Sequence, residues 1–208
     1  HILCFEQTFF ELHITGVSIY SSRTGAWIQR DSGMVEKVVL CGKCIFVGGM
    51  IYLIGNLHHV DGEYLLVGVD MEGKVWKTIR VPYGSKFGTI GLSQGCLHYA
   101  IASVNNNNEI LVSEIALWCL KDWDSKQWVL KHTASMDRLL SMTRMKYKVV
   151  EIHPDCDTIF LVSFGGATLA AYDMRHQKVG CIINLENSTQ RFLPYVPLFS
   201  EPLADAEG

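Results

Sequence analysis

Two short stretches hold residue types at spacings that support chemistry. "GLSQG" at 91–95 sets Ser93 in the pattern G-x-S-x-G, the arrangement of an activated hydrolase nucleophile. Cys41 and Cys44 stand as C-x-x-C, the spacing of a redox dithiol or of half a zinc site, with His58 and His59 as the nearest imidazoles. Each chemistry has a structural requirement. A nucleophile elbow needs a strand before the serine and a helix after it, whereas "CLHYAIA" after Gly95 alternates like a strand. A reactive dithiol wants a helix amino terminus, and zinc wants two further ligands, yet no second C-x-x-C follows. Both motifs are therefore expected to be structural. His98, His132, His153 and His176 fall singly in strands or turns, and Asp155 and Asp157 flank a turn without forming a catalytic pair. No catalytic, cofactor-binding or metal site is expected.

The elements that carry these residues follow a repeat. "EIALWCLKDWDSKQWVLKHTAS" at 114–135 reads as strand, polar turn, strand, and "VSIYSSRTGAWIQRD" (17–31), "LLVGVDMEGKVWKTIRVP" (65–82) and "TLAAYDMRHQKVGCIINL" (168–185) share its form. Tyr20 to Trp27, Val69 to Trp76 and Tyr172 to Val179 are each seven apart, and Leu120 to Trp128 is eight. Trp27, Trp76, Trp128 and Val179 recur at a period of about fifty. Ahead of three of these hairpins lies a second phrase, "GGMIYLIG" (48–55), "QGCLHYAIA" (94–102) and "DCDTIFLVSF" (155–164), which supplies inner strands.

Four short strands per unit of about fifty residues describe a propeller blade. The fold expected is all-β: a partial kelch-like β-propeller of about four blades of short antiparallel four-stranded sheets, with a short helical or irregular connector near 136–146. A sheet this small cannot cover both faces alone, so each leans on a neighbour. The tryptophan opening the outermost strand is expected to bury about 150–250 Å² against the next blade. The double glycines at 48–49 and 165–166 accord with kelch, while the dipeptide Trp123-Asp124 sits in a polar turn and occurs once. The chain is read as one domain, 1–208, forming part of a larger ring. Its open ends predict poor solubility or self-association.

Composition bounds the function. Nearly half of the 208 residues are apolar and 19% are charged, with a net charge of -3, so the chain folds and carries no field to gather nucleic acid. The densest basic stretch, Arg138 to Lys148, is interleaved with Leu and Met and reads as a connector. Seven scattered cysteines suit a reducing compartment, cytoplasmic or nuclear. No signal-peptide pattern is present, so the sequon Asn187-Ser188-Thr189 is read as chance. "VVLCGKCIFVGGMIYLIG" (38–55) is long and apolar, but Lys43 and four glycines make it two strands around a Gly-Gly turn and not a membrane span. Asn105 to Asn108 form a polar loop, a candidate for partner contact or disorder. The opening on His1 in place of Met reads as a fragment or processed product.

"LSQGCLHYAIA", "EIALWCLKDWDSKQWVLKHTAS", "VVEIHPDCDTIFLV", "LAAYDMRHQKVGCIINL" and the tail "PYVPLFSEPLADA" resemble, in the same order, the carboxy-terminal F-box-associated domain of plant F-box proteins, over about residues 45–206. In that family an amino-terminal F-box docks on the Skp1 adaptor of a cullin-based ubiquitin ligase, and the propeller-like domain presents the substrate. The resemblance implies a non-catalytic protein-binding domain whose protein-binding residues are unknown. The chain shows no F-box helices before these repeats, so Skp1 contact is expected only through an F-box absent from it. A kelch-like propeller enzyme, an oxidase or hydrolase acting through Ser93 or Cys44, is the competing reading.

Overall fold

The computed structural model describes residues 2–8, 13–57, 63–82, 88–102, 114–122, 126–144, 147–163 and 167–185. Fifteen strands and one helix lie among them. The first sheet holds β1 (Ile2–Gln7), β2 (Ile14–Ser21) and β3 (Ala26–Asp31). The second runs β4 (Val38–Val47), β5 (Met50–Leu57), β6 (Tyr64–Asp70), β7 (Trp76–Arg80), and the third β8 (Thr89–Ser93), β9 (Cys96–Ala102), β10 (Glu114–Asp122), β11 (Gln127–Ser135). After α1 (Met136–Thr143) come β12 (Tyr147–Ile152), β13 (Thr158–Ser163), β14 (Thr168–Asp173) and β15 (Lys178–Asn184). Every strand pairs antiparallel with its chain neighbour, so each sheet is a meander.

The expected units are the observed ones. The residues spaced seven or eight apart are direct cross-strand partners: Tyr20 with Trp27, Val69 with Trp76, Leu120 with Trp128 and Tyr172 with Val179. The eight-residue spacing in the third hairpin is absorbed by irregular register between Leu120 and Asp122. Gly48-Gly49 and Gln94-Gly95 both take positive φ at adjacent residues (59° and 76°; 51° and 74°), the left-handed geometry of tight hairpin turns whose twist matches the flanking strands. The strand β1 was not expected from the sequence; it stands in the first blade where β5, β9 and β13 stand in the others.

Successive strand residues point to opposite faces, and in the central blades both faces are covered. In β6, Leu65, Val67 and Val69 look toward the first blade while Leu66 looks toward the third. Three apolar layers result. Val17 and Ile19 meet Val69, with Ile14 beside Val38 and Val67; Tyr52, Ile54 and Leu66 meet Ile90, Leu97 and Tyr99; Ile115 and Leu117 meet Ile159, Leu161 and Tyr172. Each fully buried aliphatic contributes about 1.5–3 kcal/mol against exposure. The first strands converge: β8 lies against both β4 and β12. Their approach is close enough that a Cβ on Gly91 in β8 would come within 2.6 Å of Ile152 in β12. The fold is thus an arc of propeller blades, and among the described residues no apolar layer joins the fourth blade to the first.

The connector α1 begins at Ser135, whose Oγ accepts the Arg138 N–H at 3.4 Å, and carries Asp137 in its first turn. Leu139 is its anchor in the layer between the third and fourth blades. Trp123-Asp124, Gly165-Gly166, Asn105 to Asn108, the sequon and the tail from 186 lie outside the described residues.

One expectation is reversed. Trp76 and Trp128 pack on the preceding blade and not on the next. Trp76 stands edge-on to Phe5 of β1 (centroids 6.4 Å apart), and Trp128 donates its indole N–H to the Arg80 carbonyl of β7 at 2.9 Å. Parity explains it: Trp76 shares a face with Leu65 and Val67, and that face looks back along the chain. Trp27 has no preceding blade among the described residues and is 55% exposed.

Candidate functional site

Ser93 ends β8 and Cys96 opens β9, so a strand and not a helix follows the serine. Ser93 is buried, and its hydroxyl donates to the Cys156 carbonyl of the fourth blade at 3.4 Å. It staples two blades and is not raised for attack. The Gln94 N–H reinforces the staple by donating to the Pro154 carbonyl at 2.7 Å.

Cys41 and Cys44 flank an irregularity in β4, where they pair with Ile54 and Leu53 respectively. Adjacent partners place the two thiols on opposite faces, so they cannot close on one ion or on each other. Burial raises the pKa of Cys41, the reverse of what a reactive thiolate needs. His58 and His59 lie outside the described residues. The bulge has another consequence. Lys43, thrown out between the cysteines, pairs with Glu151 of β12, so the innermost strands of the second and fourth blades are tied by an ion pair.

Sequence reasoning missed a polar cluster between the third and fourth blades. Asp157, in the β12–β13 loop, accepts from Lys131 Nζ (2.5 Å) and Gln94 Nε2 (3.3 Å) and meets His132 Nε2 at 2.8 Å. Burial alone would raise its pKa, but the hydrogen bonds from Lys131 and His132 outweigh this and hold the carboxyl below its usual range. His98 lies near these charges, 1% exposed, with Nδ1 3.0 Å from the Cys96 carbonyl and no partner for Nε2 among the described residues. Burial lowers its pKa against that carbonyl's pull, and Lys131 adds to the lowering. Next to it, burial and the neighbouring Cys96 push the Cys119 thiol up to about 11. Neutral imidazole, protonated thiol and fully paired carboxylate describe a blade junction. Among the described residues no three His, Cys, Asp or Glu side chains converge as a metal site. The irregularity in β11 leaves Lys131 without a cross-strand partner between His132, opposite Leu117, and Leu130, opposite Trp118, a placement that spacing in the sequence does not signal.

The feature with the geometry of a recognition surface is a cleft of about 370 Å³ where the second blade meets the tip of the third. Leu57 and Leu65 form an apolar floor; Thr78, Arg80, Lys126 and Glu36 line its sides. The register pair Leu65 and Arg80 places floor and wall side by side. Arg80 is held twice, its backbone carbonyl by Trp128 and its guanidinium by Glu63. A greasy base with oriented charges at the edge suits a peptide side chain better than a buried cofactor.

Comparison with solved structures gives likeness at low identity. The Myceliophteria thermophila Cps50 (Swd1) beta-propeller domain aligns over 84% of this chain and 55% of its own, at 10% identity and a TM-score of 0.48. Apo AztD from Citrobacter koseri aligns over 84% and 43% (14% identity, TM-score 0.43), and the WD40 domain of SCAP from fission yeast over 88% and 42% (13%, 0.42). The chain thus spans about half the length of each. No curated protein matches it. No helix among the described residues is long and apolar enough to cross a membrane. The family described as "F-box protein At3g26010-like, beta-propeller" matches residues 4–194, nearly the whole chain, and with the blade meander in place the chain belongs to that family.

Proposed function

We propose that this chain is a non-catalytic protein-interaction propeller that holds a substrate protein for an SCF-type ubiquitin ligase. The family match over residues 4–194 carries the reading, because that family is one of F-box proteins. In this reading the propeller selects the client, an F-box elsewhere in the parent protein engages a Skp1-type adaptor, and other subunits supply the ubiquitin chemistry. The cleft around Arg80 and Lys126 is the surface assigned to client contact. Its apolar floor and mixed-charge wall, with Lys126 beside Glu36 and a Glu63-paired Arg80, fit an extended segment bearing an aliphatic residue next to polar ones.

The test is quantitative affinity capture with the chain and with the double variant Arg80→Glu, Lys126→Glu. A client enriched over a bead control and lost about tenfold or more with the variant, equivalent to about 1.4 kcal/mol, supports the assignment. A set of captured proteins no richer than the control sinks it. Turnover of a substrate that disappears with Ser93→Ala or Cys44→Ala would replace it by an enzyme.

A further inference from the structure

We propose that Cys96 and Cys119 form a peroxide-sensitive thiol pair, in which a hydroperoxide oxidises Cys96 and Cys119 closes a labile disulfide that loosens the third blade from the fourth. The inference is independent of the substrate reading and uses no residue of the cleft.

Strand register brings the two sulfurs together. Cys119 in β10 stands opposite His98 in β9, and Cys96 lies two residues before His98, so the three side chains share one face. Cys96 is thus the diagonal neighbour of Cys119, and the two thiols are hydrogen-bonded. Among the described residues no other cysteine stands opposite or diagonal to a cysteine on a paired strand.

Exposure assigns the roles. Cys96 is exposed and meets peroxide arriving from solvent, whereas Cys119 is half-buried and keeps its proton until it is called on to react. The Cys96 thiolate attacks one peroxide oxygen. An S–O bond forms, the O–O bond breaks, and the second oxygen leaves as hydroxide, which takes up the proton Cys96 gave away. The Cys119 sulfur then attacks the sulfenic sulfur of Cys96. The S–S bond forms, the S–O bond breaks, and water departs with the Cys119 proton. Two thiols have lost two electrons, and peroxide has become two waters.

The diagonal strains this bond. Diagonal Cα atoms are about 7–8 Å apart, beyond the roughly 4.4–6.8 Å that a disulfide holds, so one strand must move. Cys119 is fixed by ladders on both sides, opposite His98 and Val129. Cys96 opens β9 directly after the left-handed Gln94-Gly95 turn, and the turn therefore gives. That turn carries the Gln94 N–H bond to the Pro154 carbonyl, 2.7 Å, and follows Ser93, whose hydroxyl bonds the Cys156 carbonyl at 3.4 Å. Oxidation pulls on both staples of the third blade to the fourth. The same strain makes the disulfide easy to reduce.

The experiment adds hydrogen peroxide stepwise to the reduced 208-residue chain, alkylates the remaining thiols and maps disulfides by mass spectrometry, with Cys96→Ser and Cys119→Ser in parallel. Thermal melting under reducing conditions verifies the fold of each variant, and mapping of the parent chain decides the pairing by itself should a variant melt early. The first cross-link should join Cys96 to Cys119 and revert in glutathione, and amide exchange at Gln94 should be about tenfold faster in the oxidised chain. Cys119→Ser should accumulate a Cys96 sulfenic acid that dimedone traps, while Cys96→Ser should keep Cys119 as a thiol. A first disulfide between any other pair, or oxidation of Cys119 in Cys96→Ser as fast as in the parent, would overturn the proposal. So would a disulfide between Cys96 and Cys119 with unchanged exchange at Gln94, since the bond would then form without disturbing the junction.

Discussion

Trp128 on the third blade donates its indole N–H to the carbonyl of Arg80 on the second, 2.9 Å away and 48 residues earlier in the chain. The bond fastens one outer strand to the one before it. Trp76 occupies the matching place one blade earlier but spends its N–H on Gly73 of its own hairpin, 3.2 Å away, and turns its ring edge to Phe5. Trp27 has the same register position, and among the described residues it is 55% exposed.

Identical substitutions should therefore differ in cost around the arc. Trp76→Ala should lose about 2–4 kcal/mol, chiefly as a cavity between blades. Trp128→Phe, which keeps most of the ring and deletes the bond to Arg80, should lose about 1 kcal/mol. Trp27→Ala should stay within about 0.5 kcal/mol. Thermal melting resolves these, since 1 kcal/mol moves the midpoint by about 2–4 °C in a chain of this size. Equal losses at all three positions would mean that the ring of Trp27 is covered.

Gly73 and Gly25 both sit at hairpin tips with positive φ, +68° and +66°. A side chain at Gly25 meets open space, whereas one at Gly73 meets Val17, Ile19 and Arg30 of the first blade, each at 2.9 Å. Gly25→Ala should thus cost about 1 kcal/mol of backbone strain, and Gly73→Ala about 2–3 kcal/mol through strain plus overpacking. Chemical denaturation of the two variants gives the comparison, and a smaller loss at Gly73 would contradict the blade contact.

The junction between the third and fourth blades should make stability acid-sensitive. His98 is held below its usual value of 6.5 by burial, so the unfolded chain binds its proton more readily. Its stabilising contribution is complete above pH 6.5 and is lost as pH falls toward the lower folded value. Asp157, held below 3.8 by Lys131 and His132, contributes above that value and is lost only in stronger acid. Melting midpoints should fall between about pH 7.5 and about pH 5.5, and less steeply for His98→Gln than for the parent chain. Asp157→Asn should instead cost about 1–3 kcal/mol of stability at neutral pH, where it leaves Lys131 and His132 short of an acceptor. An unchanged acid slope in His98→Gln would show that the imidazole is solvated.

The sequence alone determined the repeat, the pairing within each hairpin and the place of the connector, because these depend on neighbours. Alternation with a period of two sets which residues share a face, and glycines or Gln94 in left-handed turns set where the chain reverses. The spacing of Tyr20 to Trp27 or Val69 to Trp76 is thus already a contact in one dimension. What only the tertiary structure decided was the direction in which those faces look. A two-sided strand reads the same whichever neighbour it leans on, and the sense of stacking depends on sheet twist summed over whole blades. For the same reason the meeting of Lys43 with Glu151, 108 residues apart, and of Asp157 with Gln94, 63 apart, left no mark in spacing. Each needs two sheets already stacked, and burial then gives a lone histidine or an unremarkable aspartate its altered proton affinity.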